Sequence, residues 1–237
     1  MIICPFLTAR VPSSLYSTSD RATLIVHPGI AGDHGMSSID WALHDGKNEW
    51  GVTVLEAADE MDAGNIWSTE NFSVRENSTK TGMYVGEVSD AVERCVMDAV
   101  SRFMERIPSC PVDYSSPEVK GKTQANMRRK DREVNWEMTA EKAATQVRMS
   151  DTEPGAVGQI EFRGKSINMR LFDACVETGH KSDGLRTLLA RARSGDLIGK
   201  KNEAVLIKAG DDKGLWIGHV RKVRLSNLPY FIWIVSY

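Results

Sequence analysis

Two residues with the means to do chemistry, His27 and Asp62, stand 35 positions apart. Each falls at or just past the end of a short apolar run. Residues 24–26 lead into His27, and residues 52–57 lead into a turn over 59–64 that holds Asp62. An imidazole beside a carboxylate can do general acid–base work: the ring polarises or protonates a reacting carbonyl, and the carboxylate supports the ring and takes a proton from a nucleophile. In an open α/β sheet, ligands gather outside the carboxyl ends of the strands. One strand–helix–strand unit is long enough to bring the pair together there. A plainer reading stays open, in which His27 ends a strand and Asp62 closes an Asx turn. Asp33, His34 and His44 lie in the same stretch and are candidates for the same cleft. No HxH or HxxxH spacing accompanies them, so no metal site is expected. Ser37 and Ser38 are expected to cap a helix rather than act as nucleophiles, because no GxSxG surrounds them. Trp41, Trp50 and Trp67 are expected in the core or in a cleft wall.

The elements that must position these residues follow from hydrophobic period and turn chemistry. A buried strand is expected over 2–7, a turn over 17–20, and a helix from Ser37 or Ser38 that carries Ile39, Trp41, Ala42 and Leu43. Alternation over 68–74 reads as a strand. Met83, Val85, Val88, Val92, Val96, Val100 and Phe103 recur at near-helical spacing, which predicts one long helix over 82–107 after a capping region at 77–80. Residues 108–123 are rich in Pro and Ser and read as a boundary. Beyond it come a charged stretch ending in Trp136, a helix over 139–149 with Ala140, Ala143, Ala144 and Val147 on one side, and strands over 158–162, 167–174, 204–208 and 214–220. Several short strands after one helix suggest a small barrel or a curled sheet. Residues 181–201 are polar and basic and read as a long excursion.

The 237 residues are 41% hydrophobic with a formal charge of −2. That is enough to bury a core in one large domain or two small ones, and it leaves no footprint for nucleic acid or a membrane surface. Cys4, Cys95, Cys110 and Cys175 form no CxxC pair, so a reduced, cytoplasmic chain is expected. No apolar run approaches a membrane span. The apolar starts and stops at 2–7 and 227–237 read as cut ends, so a piece of a longer chain is expected.

The residues then carry a resemblance. His27-Pro28-Gly29, Gly32-Asp33, Gly35, Ser37-Ser38, Asp40-Trp41-Ala42, Gly51-Val52-Thr53 and Met61-Asp62-Ala63-Gly64-Asn65-Ile66 resemble the core of the 10-formyltetrahydrofolate-dependent formyltransferases, in particular the hydrogenase-maturation branch, HypX (HoxX). Met127-Arg128, Asp131-Arg132, Trp136, Asp151, Pro154-Gly155 and Asp173-Ala174 resemble the C-terminal domain of the same proteins. Together these motifs cover most of residues 1–220.

The resemblance implies an α/β fold: a Rossmann-like formyltransferase core over 1–107 lacking its first strands, a linker over 108–123, and a small OB-like β-barrel over 124–237. It implies a formyltransferase with 10-formyltetrahydrofolate as formyl donor. His27 and Asp62 match the family's catalytic pair, which assists attack on the formyl carbon and stabilises the tetrahedral oxyanion. Cys4, Pro5, Phe6, Leu7, Gly29, Ile30, Ala58 and Asp59 match positions around the folate, and Asp33, His34, Ser37 and Ser38 match the loop on the acceptor side. The implied acceptor is coenzyme A or an amine. The resemblance further implies, in the parent protein, a crotonase-like second half that releases carbon monoxide for a hydrogenase metal centre. The sequence also departs from the broad family. Ile25 stands where Asn is usual two residues before the histidine, a donor whose loss costs about 3 kcal/mol in an oxyanion site; the HypX branch also runs apolar into His-Pro-Gly. His34 stands where Arg is usual, and Met36 at the next, Pro-like position. Two other outcomes are compatible with the same residues: hydrolysis of the formyl donor by water, and a fold kept as an interaction module without the chemistry.

Overall fold

From Trp50 to Leu55 every residue is buried, and this run is the middle of the strand around which the first half is built. The protein, a computed structural model describing residues 1–7, 9–17, 21–162, 164–179 and 183–223, divides into two compact units, Met1–Met127 and Arg128–Tyr237. The turn read over 17–20, Ser17 apart, and the apolar tail over 227–237 lie outside the described residues.

The first unit runs β1 (Ile2–Pro5), a single turn α1 (Ser13–Tyr16), β2 (Thr23–His27), α2 (Ser38–His44), β3 (Glu49–Glu56), β4 (Ile66–Ser73), α3 (Lys80–Met83), a π-helical turn (Tyr84–Val88) and α4 (Ser89–Met104). Its sheet has the order β1-β2-β3-β4. β1 and β2 are parallel, and the remaining neighbours are antiparallel. This corrects the simple strand–helix–strand expectation. His27 pairs with Thr53 and Leu24 with Glu56, so the carboxyl ends of β2 and β3 point to opposite edges. The first part of the connection is tied back over the end of β2, where Pro28 O accepts from Ser38 and Trp50 and Gly29 O from Thr53. The seven-residue α2 that remains rises only about 10 Å, so the chain re-enters the sheet at the edge it left.

Small residues set how closely the covering helix approaches. Ala91, Cys95 and Ala99 recur every fourth position along α4 and are buried where that helix packs on β3 and β4. The helix expected over 82–107 is interrupted. Gly86 leaves helical geometry at φ −98°, ψ −106°, and the chain makes one wide turn before α4 begins. The N-terminus of α3 is capped by Thr79, whose hydroxyl accepts from the Gly82 N–H at 2.9 Å. Ser37 and Ser38 do not cap α2 with their side chains. Ser37 Oγ accepts from Met127 N at 2.9 Å, and Ser38 Oγ donates to Pro28 O at 2.8 Å. Both hydroxyls therefore tie the histidine loop to neighbouring backbone. Residues 108–127 lie along this unit: Cys110 bridges Ile66, and Thr123 bridges His34.

The second unit begins with a 3₁₀ turn (Arg129–Arg132) and continues β5 (Glu133–Val134), α5 (Ala140–Arg148), β6 (Ala156–Phe162), β7 (Lys165–Val176), α6 (Asp183–Arg191), β8 (Leu197–Lys201), β9 (Ala204–Lys208) and β10 (Gly214–Lys222). The six strands take the order β5-β6-β7-β10-β9-β8. Glu161 in β6 also bridges Asp196, just before β8, which curls the sheet toward closure. The core inside the curl holds Trp136, Leu171, Ile207, Leu215 and Ile217, covered by Ala140, Ala143, Ala144 and Val147 of α5. Thr139 caps α5 through Lys142 N. The excursion expected over 181–201 instead holds α6 and β8. Leu185, Leu188 and Leu189 of α6 do stand at helical spacing, but only Leu189 is buried, and three apolar positions in a polar, basic stretch are too short a run to set a period apart from a loop. Among the described residues no helix is long and apolar enough to cross a membrane.

In the first unit, Lys80 Nζ reaches Asp40 Oδ2 at 2.6 Å, and the Asp40 side chain is only 2% exposed. Removing the cation leaves a buried carboxylate undercompensated, which costs roughly 3 kcal/mol. Lys80→Ala is expected to lower the urea midpoint of the first unit's transition accordingly, and Lys80→Arg to lower it by less than half as much. Equal losses for the two variants would mean that packing of the stem, not the charge, matters at this position.

Candidate active site

β2 delivers His27 into the interior, and the loop from Pro28 to Gly35 folds back over its ring. Pro28 O accepts from Trp50 Nε1 at 3.0 Å as well as from Ser38 Oγ, and Gly29 O accepts from the buried Thr53 hydroxyl at 2.9 Å. These bonds hold the loop against β3. Position 29 must be glycine for a local reason: a Cβ there would lie 2.3 Å from His27 Nε2 and 2.5 Å from Asp33 Oδ2. The loop can therefore bring Asp33 onto the ring, with Oδ2 at 3.0 Å from Nε2. Gln124 Nε2 donates to the other oxygen, Oδ1, at 3.3 Å.

Asp62 reaches the same ring from the loop after β3. It adopts a left-handed backbone, φ 56°, a region that Asp tolerates better than most residues. Next to that turn, Gly64 lies against Glu56, where a Cβ would sit 1.9 Å from the Glu56 carbonyl oxygen. The loop closes tightly on the strand end and carries Asp62 back toward the edge where β2 stops. Asp62 Oδ2 then lies 3.5 Å from His27 Nδ1 and accepts from Gly35 N at 3.1 Å. His27 thus has one carboxylate on each ring nitrogen. The side chains of His27, Asp33 and Asp62 are 5%, 1% and 10% exposed.

A cavity of about 340 Å³ opens on this group, with Phe6, Ile25, His27, Met61, Asp62 and Tyr84 among its walls. Phe6 and Tyr84 meet edge to face with ring centroids 5.6 Å apart. Burial, with the Asp40 carboxylate adding to it, pushes the Tyr84 phenol above its ordinary range and keeps the hydroxyl protonated. Asp33 does not line this cavity. It faces a second cleft of about 650 Å³ whose walls include Ile30, Trp41, Trp50, Lys122 and Gln124. The His27–Asp33 contact therefore lies between the two spaces.

The positions singled out in the sequence are placed as follows. Phe6, Leu7, Ala58 and Asp59 line the cavity. Cys4 and Pro5 are inside β1, paired with Ile25 and Val26. Gly29 lies beneath the imidazole, and Ile30 faces the second cleft. His34 turns away from His27, and its ring meets Tyr114 OH at 2.9 Å. His44 stays on the outside with Asp45, 2.9 Å away, so it does not join the cleft. Tyr84, Gln124 and Tyr114 were not legible as site residues. Tyr84 sits where the helical period looks unbroken, and the only warning is the pair Gly82 and Gly86 inside that period. Gln124 and Tyr114 fall in a stretch without periodicity.

An imidazole flanked by two carboxylates can hold or pass a proton at the cavity wall. Ile25 contributes only hydrocarbon to that wall, whose polar side chains include Arg10, His27, Asp59, Asp62 and Tyr84. Among the described residues no group of three or more His, Cys, Asp or Glu side chains is arranged to hold a metal ion.

Residues 1–99 match the formyl transferase family, and residues 126–227 match the formyl transferase C-terminal domain. The hydrogenase maturation factor HoxX of Bradyrhizobium diazoefficiens is 30% identical over 230 residues, a span covering 96% of this chain and 37% of that protein. HypX from Aquifex aeolicus, solved in complex with tetrahydrofolic acid, superposes with a TM-score of 0.78 at 32% identity, over 94% of this chain and 36% of that one. Methionyl-tRNA formyltransferase of Staphylococcus aureus is 26% identical over 214 residues, 88% of this chain and 65% of that protein. The chain thus spans little more than a third of the length of its HoxX and HypX relatives. A Rossmann-like formyltransferase core and the family's C-terminal domain follow one another in a single chain, which belongs to the formyltransferase family.

Proposed function

We propose that this chain binds a 10-formyltetrahydrofolate donor in the cavity beside His27 and Asp62, and that these two residues assist transfer of the formyl group to a nucleophilic acceptor. The observation that carries the reading is the coupled His27–Asp62 pair, 3.5 Å apart, at the wall of a largely apolar cavity of about 340 Å³. That volume falls in the range of sites for small molecules, roughly 300–1,000 Å³. Phe6, Met61 and Tyr84 supply flat or pliable apolar surface suited to a fused heteroaromatic ring. The HypX structure with tetrahydrofolic acid supports the choice of donor.

In this reading an amine or thiol attacks the formyl carbon, and a tetrahedral oxyanion forms. Asp62 takes the proton that the nucleophile gives up. The bond from the formyl carbon to the folate nitrogen then breaks, and Asp62 returns the proton to that leaving nitrogen. His27, whose Nδ1 faces Asp62 Oδ2 at 3.5 Å, supports the carboxylate while it accepts and returns that proton. With Ile25 in the wall, no side-chain amide at that position assists the oxyanion, and the polar groups left to do so include His27 and the Tyr84 hydroxyl.

The acceptor proposed is coenzyme A or an amine. Hydrogenase maturation, the role that the HoxX relative's name carries, is proposed for the longer protein that such a chain would serve, together with a crotonase-like partner domain. All four cysteines are free thiols, in keeping with a reducing cytoplasm. Hydrolysis competes as a reading because nothing in the cavity wall distinguishes water from a larger nucleophile. Formate released without any acceptor would identify it.

Calorimetric titration of the chain with tetrahydrofolate is expected to give micromolar binding that weakens in Asp62→Ala. A chain that melts cooperatively yet binds no tetrahydrofolate would overturn the proposal. With 10-formyltetrahydrofolate and an acceptor, His27→Ala is expected to lower kcat about 10²–10⁴-fold while leaving the thermal transition and the tetrahydrofolate affinity near those of the parent chain. Retained turnover in His27→Ala would remove the histidine from the mechanism.

A further inference from the structure

We infer that Asp33 is the positioning residue of this site: it fixes the tautomer of His27 by accepting the Nε2 proton, and so reserves Nδ1 for the cavity. The inference rests on the proposed role of His27, but its geometry stands apart from the donor. Asp33 Oδ2 lies 3.0 Å from Nε2, whereas Asp62 Oδ2 lies 3.5 Å from Nδ1. Of the two carboxylates, only Asp62 lines the cavity. Asp33 is the more deeply buried, and it faces the opposite cleft. A group so placed cannot touch a molecule in the cavity; it acts on that molecule only through the ring.

The surroundings of Asp33 are built for that task. Gly29 is the close approach that lets the carboxylate reach Nε2 at all. Asp33 N donates to Ile30 O at 2.9 Å, which folds the loop into a tight turn. Gln124 Nε2 occupies Oδ1. The segment bearing Gln124 is itself tied down, since Gly121 N donates to Ala31 O and Gln124 N to His34 O. With Oδ1 taken by an amide, Oδ2 is the oxygen left for the imidazole. An ionised carboxylate only accepts, so the nitrogen facing it must be the one that carries hydrogen.

The consequence is a division of labour between two carboxylates on one ring. Nε2–H is spent on Asp33. Nδ1 is left as an acceptor facing Asp62 Oδ2 across 3.5 Å, at the cavity wall. Gly35 N donates to that same carboxylate oxygen. A serine-protease triad uses a buried carboxylate in the same way, to hold the working tautomer rather than to react. Replacing such a carboxylate by its amide leaves the shape but offers the ring a donor, and the tautomer reverses.

Imidazole nitrogen resonances of the full chain, labelled with ¹⁵N in histidine and recorded without any folate, test this directly. In the parent chain the neutral His27 ring is expected to carry its proton on Nε2. In Asp33→Asn the proton is expected to move to Nδ1, while Asp62→Asn leaves it on Nε2. A parent ring with bare Nε2 would overturn the inference, and this reading needs no variant to fold. An unchanged tautomer in a folded Asp33→Asn chain would overturn it equally. Tetrahydrofolate titration of the same samples separates the two proposals: absent binding with the expected tautomer rejects the donor and keeps Asp33, and binding with the wrong tautomer does the reverse.

Discussion

The imidazole of His27, held between two carboxylates in the interior of the first unit, is the constraint to which the surrounding chain answers. Burying an ionisable group without a partner is costly, and burying three of them is tolerable only if each compensates another. His27, Asp33 and Asp62 do so in a line, and the ends of the line are hydrogen-bonded in turn by Gln124 and by Gly35 N. Each link demands something of the backbone. Gly29 must lack a side chain, Asp62 must accept a left-handed conformation, and Gly64 must let its loop press onto the end of β3. The segment over 121–124 must run beside the loop to bring in Gln124. A loop satisfying all of these has few alternatives, so the ring's environment is determined by packing as much as by charge.

How much of this was legible depends on the range of the forces involved. β2, β3, β4, α5, β6, β7, β9 and β10 declare themselves through local period, whereas β5 and β8 do not, and the structure moves the bounds of those that do by only a few residues. His27 and Asp62 were legible as candidates because each follows an apolar strand. The way they meet was not. Their strands are antiparallel, and Asp62 returns to the histidine only because a tight loop carries it there. Asp33 lies six residues from His27 in a glycine-rich stretch whose path no period encodes. Its value comes from one close approach at Gly29, and a sequence reading sees only that a glycine is present.

The interruption before α4 makes the same point for helices. Apolar residues from Met83 to Phe103 keep a period near 3.6, yet the backbone widens at Tyr84–Val88. A single wide turn adds little to the phase of a long pattern, so periodicity does not register it. Its effect is local and lies at the cavity, where Tyr84 is presented to Phe6. Wide turns inside helices recur at functional sites because they re-aim one side chain without breaking the rest. In the second unit the corresponding blind spot is α6, a short helix that buries Leu189 while Leu188 stays exposed.

Ile25 and Asp33 are best understood together. A wall with an asparagine at position 25 would offer the oxyanion a neutral donor, independent of the state of the histidine. Here that position is hydrocarbon, and on the proposed reading donation toward developing charge falls to the remaining polar groups of the wall, His27, Asp62 and the Tyr84 hydroxyl among them. A neutral imidazole has one N–H. If that hydrogen were free to choose either nitrogen, it would be divided between Asp33 and the cavity. Asp33, fixed by Gln124 on one side and the Gly29 loop on the other, removes the choice by holding Nε2–H. Nδ1 is then left facing Asp62 Oδ2 at the cavity wall, and that arrangement is set before any ligand arrives. Electrostatic assistance in a water-poor site is most effective when donors need no rearrangement as charge develops. On the proposed reading, the buried carboxylate that touches nothing in the cavity supplies that preorganisation, and the loss of a side-chain amide at position 25 is what makes it necessary.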